Sequence, residues 1–120
     1  MQDVDLLGAF KNTTDLDVFV NTFFSALGLV EYDERNSSNY IDERYFIGEY
    51  DNISYTISMS DEVDNEDLPF WINVSTDDVK KMNMLFDIVD NNIKTKILPA
   101  GFYIARFINF EFKDRIRIDY

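Results

Sequence analysis

The most regular signal along the chain is an alternation. Ile53, Tyr55, Ile57 and Met59 take turns with Ser54, Thr56, Ser58 and Ser60. Successive side chains of a strand point to opposite sides, so this segment predicts one apolar face and one lined with hydroxyls. Asp51-Asn52 just before it tolerates positive φ, and Tyr40 to Tyr50 is rich in aromatic and β-branched residues. Together they predict a hairpin over residues 40–60. A different period governs residues 15–27, where Leu16, Phe19, Val20, Phe23, Phe24 and Leu27 recur at steps of three and four. That spacing predicts a helix with one buried face, capped by Thr14, with Asp15 and Asp17 at the positive end of its dipole and Gly28 as its left-handed stop.

The other segments are assigned by the same rules. Residues 1–12 have no clear period, and Leu6, Leu7 and Phe10 suit a short lead-in turn. Leu29 to Tyr32 reads as a short strand, and 33–39 has loop composition. Residues 61–67 form an acidic loop closed by Leu68-Pro69. Phe70 to Ser75 predicts a strand with Phe70, Ile72 and Val74 on one face and Trp71 on the other. Thr76 then caps a second helix, with Asp77 and Asp78 in its first turn and Val79, Met82, Phe86, Val89 and Ile93 as its buried stripe. Asn91-Asn92, Lys94 and Lys96 suit its C-terminal end. Phe23 and Phe86 are thus both expected against the sheet. After Pro99-Ala100-Gly101, Phe102 to Phe112 predicts a long aromatic strand, and Ile116, Ile118 and Tyr120, alternating with Arg115, Arg117 and Asp119, a last edge strand. The expected order is α-β-β-β-β-α-β-β. It describes a single α+β domain over residues 1–120, with a mainly antiparallel sheet of five to six strands and two helices.

Charge changes the picture more than composition does. Of the 23 acids and 11 bases that make the net charge −12, residues 1–67 hold 16 acids and 3 bases, and residues 68–120 hold 7 and 8. The whole excess lies in the first part. Such a surface repels nucleic acid and anionic membrane and attracts a basic protein. The bases Arg106, Lys113, Arg115 and Arg117 at the other end are interleaved with strand aromatics and do not offset that balance. No uncharged run approaches a membrane span, and residues 1–20 lack a basic start followed by an apolar stretch, so a cytoplasmic protein is expected. On that expectation the sequons at Asn12, Asn36, Asn52 and Asn73 are chance matches.

Histidine and cysteine are both absent. That removes thiol nucleophiles, the usual general base and Cys/His zinc sites. Four glycines, at 8, 28, 48 and 101, cannot write a dinucleotide or phosphate-cradling loop. Only carboxylate chemistry survives, as a glycosidase-like pair or a magnesium site. The densest candidate is Asp61, Glu62, Asp64, Glu66 and Asp67. As a calcium loop it lacks the turn glycine and the distal glutamate, and as a nuclease site it lacks an accompanying lysine or histidine. No enzyme, cofactor or metal is therefore expected. The same loop, with Asp33, Glu34, Asp42 and Glu43, reads as a partner-binding surface or as plain solvated acids. Trp71, opposite the Phe70–Ile72 face, is either an exposed anchor or part of a second core under a helix.

In overall make-up, with acidic loops at Asp33-Glu34 to Asp42-Glu43 and Asp61 to Asp67, the chain resembles the immunity proteins that protect bacteria from their own secreted toxins, such as those of contact-dependent growth inhibition. The resemblance spans the whole chain and rests on no diagnostic motif, so no functional residue is transferred by position. It implies a cytosolic protein that binds a cognate toxin domain, often a nuclease with a basic active site, and blocks it. Two alternatives are a phage or plasmid nucleic-acid mimic that inhibits a host defence nuclease, and a small carboxylate enzyme. The first wants acids at phosphate intervals along an elongated face, the second a pocket with two acids of raised pKa.

Overall fold

The computed structural model describes residues 3–61, 63–110 and 112–120. Seven strands form one sheet: β1 (Val4–Phe10), β2 (Asp33–Asn36), β3 (Arg44–Tyr50), β4 (Ile53–Met59), β5 (Phe70–Ser75), β6 (Phe102–Ile108) and β7 (Ile116–Asp119). Their spatial order is β2-β3-β4-β5-β1-β6-β7, and each pairing is antiparallel. Helices α1 (Leu16–Leu27), α2 (Val79–Met82) and α3 (Leu85–Asn92) complete an α+β fold. The class is as expected; the five to six strands and two helices of the sequence reading become seven and three.

The 53–59 alternation holds through Ile57; beyond it Ser58 is fully buried and Met59 only partly. Asp51 and Asn52 turn the hairpin with φ of 55° and 63°, and Ile53, Tyr55 and Ile57 are buried. Helix α1 also lies where its period placed it, with Leu16, Phe19, Val20, Phe23, Phe24 and Leu27 inward. Its cap is Asp15 rather than Thr14: Asp15 Oδ1 accepts from the N–H groups of Asp17 and Val18. Gly28 at φ 90° ends it, a conformation a Cβ would strain.

Several assignments change. The lead-in turn is β1, a central strand between β5 and β6, with Leu6 and Leu7 both fully buried on opposite faces. The expected strand at 29–32 is absent, and the loop-like Asp33–Asn36 is edge strand β2, exposed throughout. The strand read from Tyr40 begins at Arg44, and the one read to Phe112 ends at Ile108. The second helix is interrupted after Met82, and its cap is Asp78, whose side chain accepts from the Lys80 N–H. From Leu85 the inward face is Leu85, Val89, Asn92, Ile93 and Ile97, the last two in a π-helical turn over Ile93–Ile97. Val79 and Phe86, expected in the core, are 77% and 41% exposed.

The helices cover one side of the sheet. Their core is aromatic, with Phe19 stacked 4.2 Å from Phe70 and Phe23 edge-on to Phe102 at 5.6 Å. Within it the Asn92 amide donates to the Tyr55 hydroxyl at 3.2 Å, which satisfies a phenol whose pKa burial pushes up. The other side carries a small second cluster of Leu7, Ala9, Leu68 and Ala105, with Trp71, Phe107 and Phe110 packed on it. No α-helical residue belongs to that cluster. No helix among the described residues is long and apolar enough to cross a membrane.

Candidate functional site

The strand order gathers part of the acidic stretch of the chain in one place, although β1 from the same stretch lies between β5 and β6. Strands β2, β3 and β4 and helix α1 come from the acidic part and lie together on one side, while β6 and β7 form the opposite edge. Two open grooves bring carboxylates together, one where β2 meets β3 and one between the start of α1 and the 41–44 segment. One, of about 890 Å³, is lined by Glu31, Asp33 and Glu49 with Val30, Tyr32 and Ile47. The second, of about 590 Å³, is lined by Asp15, Asp17 and Asp42 with Ile41 and Met59. Glu34 and Glu43 are exposed along the β2–β3 edge, and the bases there among the described residues are Arg35 and Arg44.

Arg44 organises this edge. Its guanidinium lies 3.2 Å from Asp17, 3.2 Å from Asp42 and 3.6 Å from Glu34, which ties α1, the 37–43 turn and β2 together. The hydrogen bond to Asp17 and the surrounding negative field raise its pKa. Three acids share one base, so the edge keeps a negative surplus. Exposed apolar side chains punctuate it: Val30 at 92% and Ile41 at 59%. Of the residues singled out from sequence, Asp33, Glu34, Asp42 and Glu43 belong here. The contributions of Asp15, Asp17, Glu31 and Glu49 were not read, because a helix start and isolated strand acids carry no sequence signal of shared location.

The 61–67 loop is placed elsewhere, and it is not simply solvated. A 3₁₀ turn over Val63–Asn65 and the buried Leu68 seat it on the second cluster. Arg117 of β7 grips Asp67 with two parallel bonds, Nη1–Oδ1 at 3.0 Å and Nη2–Oδ2 at 2.8 Å, and donates to Asn65. Arg115 Nη2 lies 3.9 Å from Asp64. Arg106, the third arginine of this end, lies over the Phe86 ring at 4.7 Å. Two of the basic residues considered for nucleic acid are therefore spent on the chain's own acidic loop. Asp61 and Glu66 remain exposed, and Glu62 lies outside the described residues. Among the described residues no group of three or more acids is arranged to hold a metal ion.

The Arg117 bond holds the Asp67 carboxyl below the usual carboxylate range. A depressed pKa means that the pair stabilises the fold above the unfolded value near pH 4 and loses that contribution as pH falls through the folded value. The side chain is 62% exposed, so the effect is small and screened by salt. Thermal melts of Asp67→Asn against the natural chain should differ at pH 6, and the gap should narrow as pH falls below about 4; a gap independent of pH would contradict the pairing.

Trp71 lies on the helix-free face, half-buried in the second cluster and not beneath a helix. Its indole Nε1–H donates to Asp5 Oδ1 at 3.1 Å. Comparison of the chain with family models, with curated proteins and with solved structures finds no match.

Proposed function

We propose that the chain is a binding protein of the immunity type, which holds a basic toxin domain, most simply a nuclease, against its acidic side and blocks it without chemistry of its own. The observation that carries this reading is the β2–β3 edge: carboxylates from α1, β2, β3 and two loops converge there around Arg35 and Arg44. A nuclease presents lysine and arginine to phosphates, and a carboxylate surface offers those groups a substitute. Complementary charge raises the encounter rate and rejects acidic partners, which suits an inhibitor that must outpace a lethal enzyme. The nucleic-acid-mimic alternative gains nothing from a body of 36 × 35 × 31 Å, which has no elongated face along which acids follow a phosphate rhythm.

The test is protection. Producing the chain in a cell together with a toxin domain found encoded beside it should restore growth, and the two should purify as a stoichiometric complex. Growth arrest that persists although both proteins are present and folded would refute the reading.

A further inference from the structure

Tyr45, Tyr40, Trp71 and Phe110 form a row across the helix-free face. Tyr40 stacks on Tyr45 at 4.7 Å, Tyr40 lies 6.1 Å from Trp71, and Trp71 runs nearly parallel to Phe110 at 6.3 Å. Trp71 is only partly buried, so part of its ring stays accessible. We propose that this row docks an arginine-bearing segment of the partner, with a guanidinium on Trp71 paired to Asp5. The proposal rests on the basic-partner reading above and assigns where that partner's arginine is held.

Three observations converge on a planar cation. First, Asp5 is oriented for one. Trp71 Nε1–H and Asn73 Nδ2–H both donate to its Oδ1, at 3.1 and 2.9 Å, and among the described residues Oδ2 receives no hydrogen bond. A cation over the indole therefore meets a fixed carboxylate with a spare oxygen. Second, the row already accommodates a guanidinium at its other end, where the chain's own Arg115 lies 5.8 Å from the centre of the Phe110 ring. Arginine suits such a place better than lysine, because its plane stacks on a ring while its edge donates to a carboxylate. Third, the charge is complementary. Strand alternation puts Asp33 and Glu49 on this face with Asp5, while Arg35 is paired with Asp33 at 3.6 Å. Partly buried tyrosine and tryptophan are also enriched at protein-binding surfaces.

Trp71 is the single tryptophan of the chain and reports on its own surroundings. The probe is a blocked hexapeptide of alternating glycine and arginine, with lysine and citrulline counterparts, titrated at low salt. The arginine peptide should change Trp71 emission saturably, the lysine peptide should bind several-fold more weakly, and the citrulline peptide should leave emission unchanged. Asp5→Asn keeps the acceptor for Trp71 and removes the charge; it should weaken the arginine peptide by about tenfold, the scale of one charge-assisted contact. Calorimetry with Tyr40→Ala should show a loss in the same direction, with melting curves confirming that both variants are folded. If the peptide binds with unaltered emission, is indifferent to Asp5→Asn and is lost on Asp33→Asn with Glu34→Gln, the acidic-edge reading stands and the aromatic-row assignment falls. If no basic peptide binds at low salt, both fall. Emission that follows protein concentration instead of peptide would give the face to a second copy of the chain and overturn the assignment.

Discussion

Replacing Phe23 by alanine is expected to cost about 3–5 kcal/mol of stability, whereas Phe86→Ala should cost less than about 1 kcal/mol. The two phenylalanines are alike in sequence, each on a helix and each in an apolar stripe. The structure separates them. Phe23 is 1% exposed and its ring lies 5.9 Å from Phe19, 6.1 Å from Phe24, 6.2 Å from Tyr55 and 5.6 Å from Phe102, so truncation opens a cavity among rings that cannot all close in. Phe86 is 41% exposed and lies against the Arg106 guanidinium, a contact worth a fraction of a kcal/mol at such a site. Domains of this size hold about 5–15 kcal/mol in all, so Phe23→Ala approaches the threshold of folding. Urea melts of the two variants decide the matter, and midpoints shifted equally would contradict the face assigned to α3.

The difference also shows which parts of the fold a sequence pattern carries. Helix α1 was legible because one uninterrupted period runs from Leu16 to Leu27, and β4 because one face is buried and the other is hydroxyl-lined. The second helix misled because its stripe was extended through Asn83 and Met84, where the chain breaks between α2 and α3 and the phase resets. Its true inward face includes Asn92, a residue that reads as polar until the Tyr55 hydroxyl, 37 positions away, is seen to receive its amide. Strand β1 was hidden for the opposite reason. Buried on both faces, it shows Leu6-Leu7-Gly8-Ala9 instead of an alternation, and a short apolar run has no period to read. Strand β2 is exposed throughout, so its Asp-Glu-Arg-Asn sequence looks like loop; charges of this kind keep an edge strand from pairing with other chains.

For the surface, alternation alone was enough to place Trp71 opposite Phe70 and Ile72. What covers it was not legible, since Tyr40 and Phe110 arrive from loops 31 and 39 positions away. The acidic loop and the basic end looked like two independent features. They meet because β5 pairs with β1 and β1 with β6, which carries β7 to within reach of residues 64–67. That topology neutralises part of the loop and leaves exposed acids at the β2–β3 edge.

Association with a basic partner should accordingly slow by about tenfold or more between low and physiological salt, as the screening length contracts to about 8 Å. Dissociation should change far less, because it is set by packed contacts and not by the long-range field. Charge reversal separates steering from packing. Glu31, Glu43 and Glu49 are exposed along the β2–β3 edge, and replacing them with lysine should depress the on-rate strongly at low salt and little at high salt. Asp17 and Asp42 are poor choices, since Arg44 holds both, and Asp67 is held by Arg117; reversing these tests the fold as much as the field. Asp61 and Glu66, exposed on the loop, should have a smaller effect than the edge residues. Lys80, exposed at the start of α2, is the control whose reversal should leave the rate nearly unchanged, whereas Lys81 is unsuitable because it is bonded to Asp51 at 2.8 Å. An on-rate indifferent both to salt and to reversal of the edge would make these acids ordinary solvated surface and would leave the aromatic row to act without a steering field.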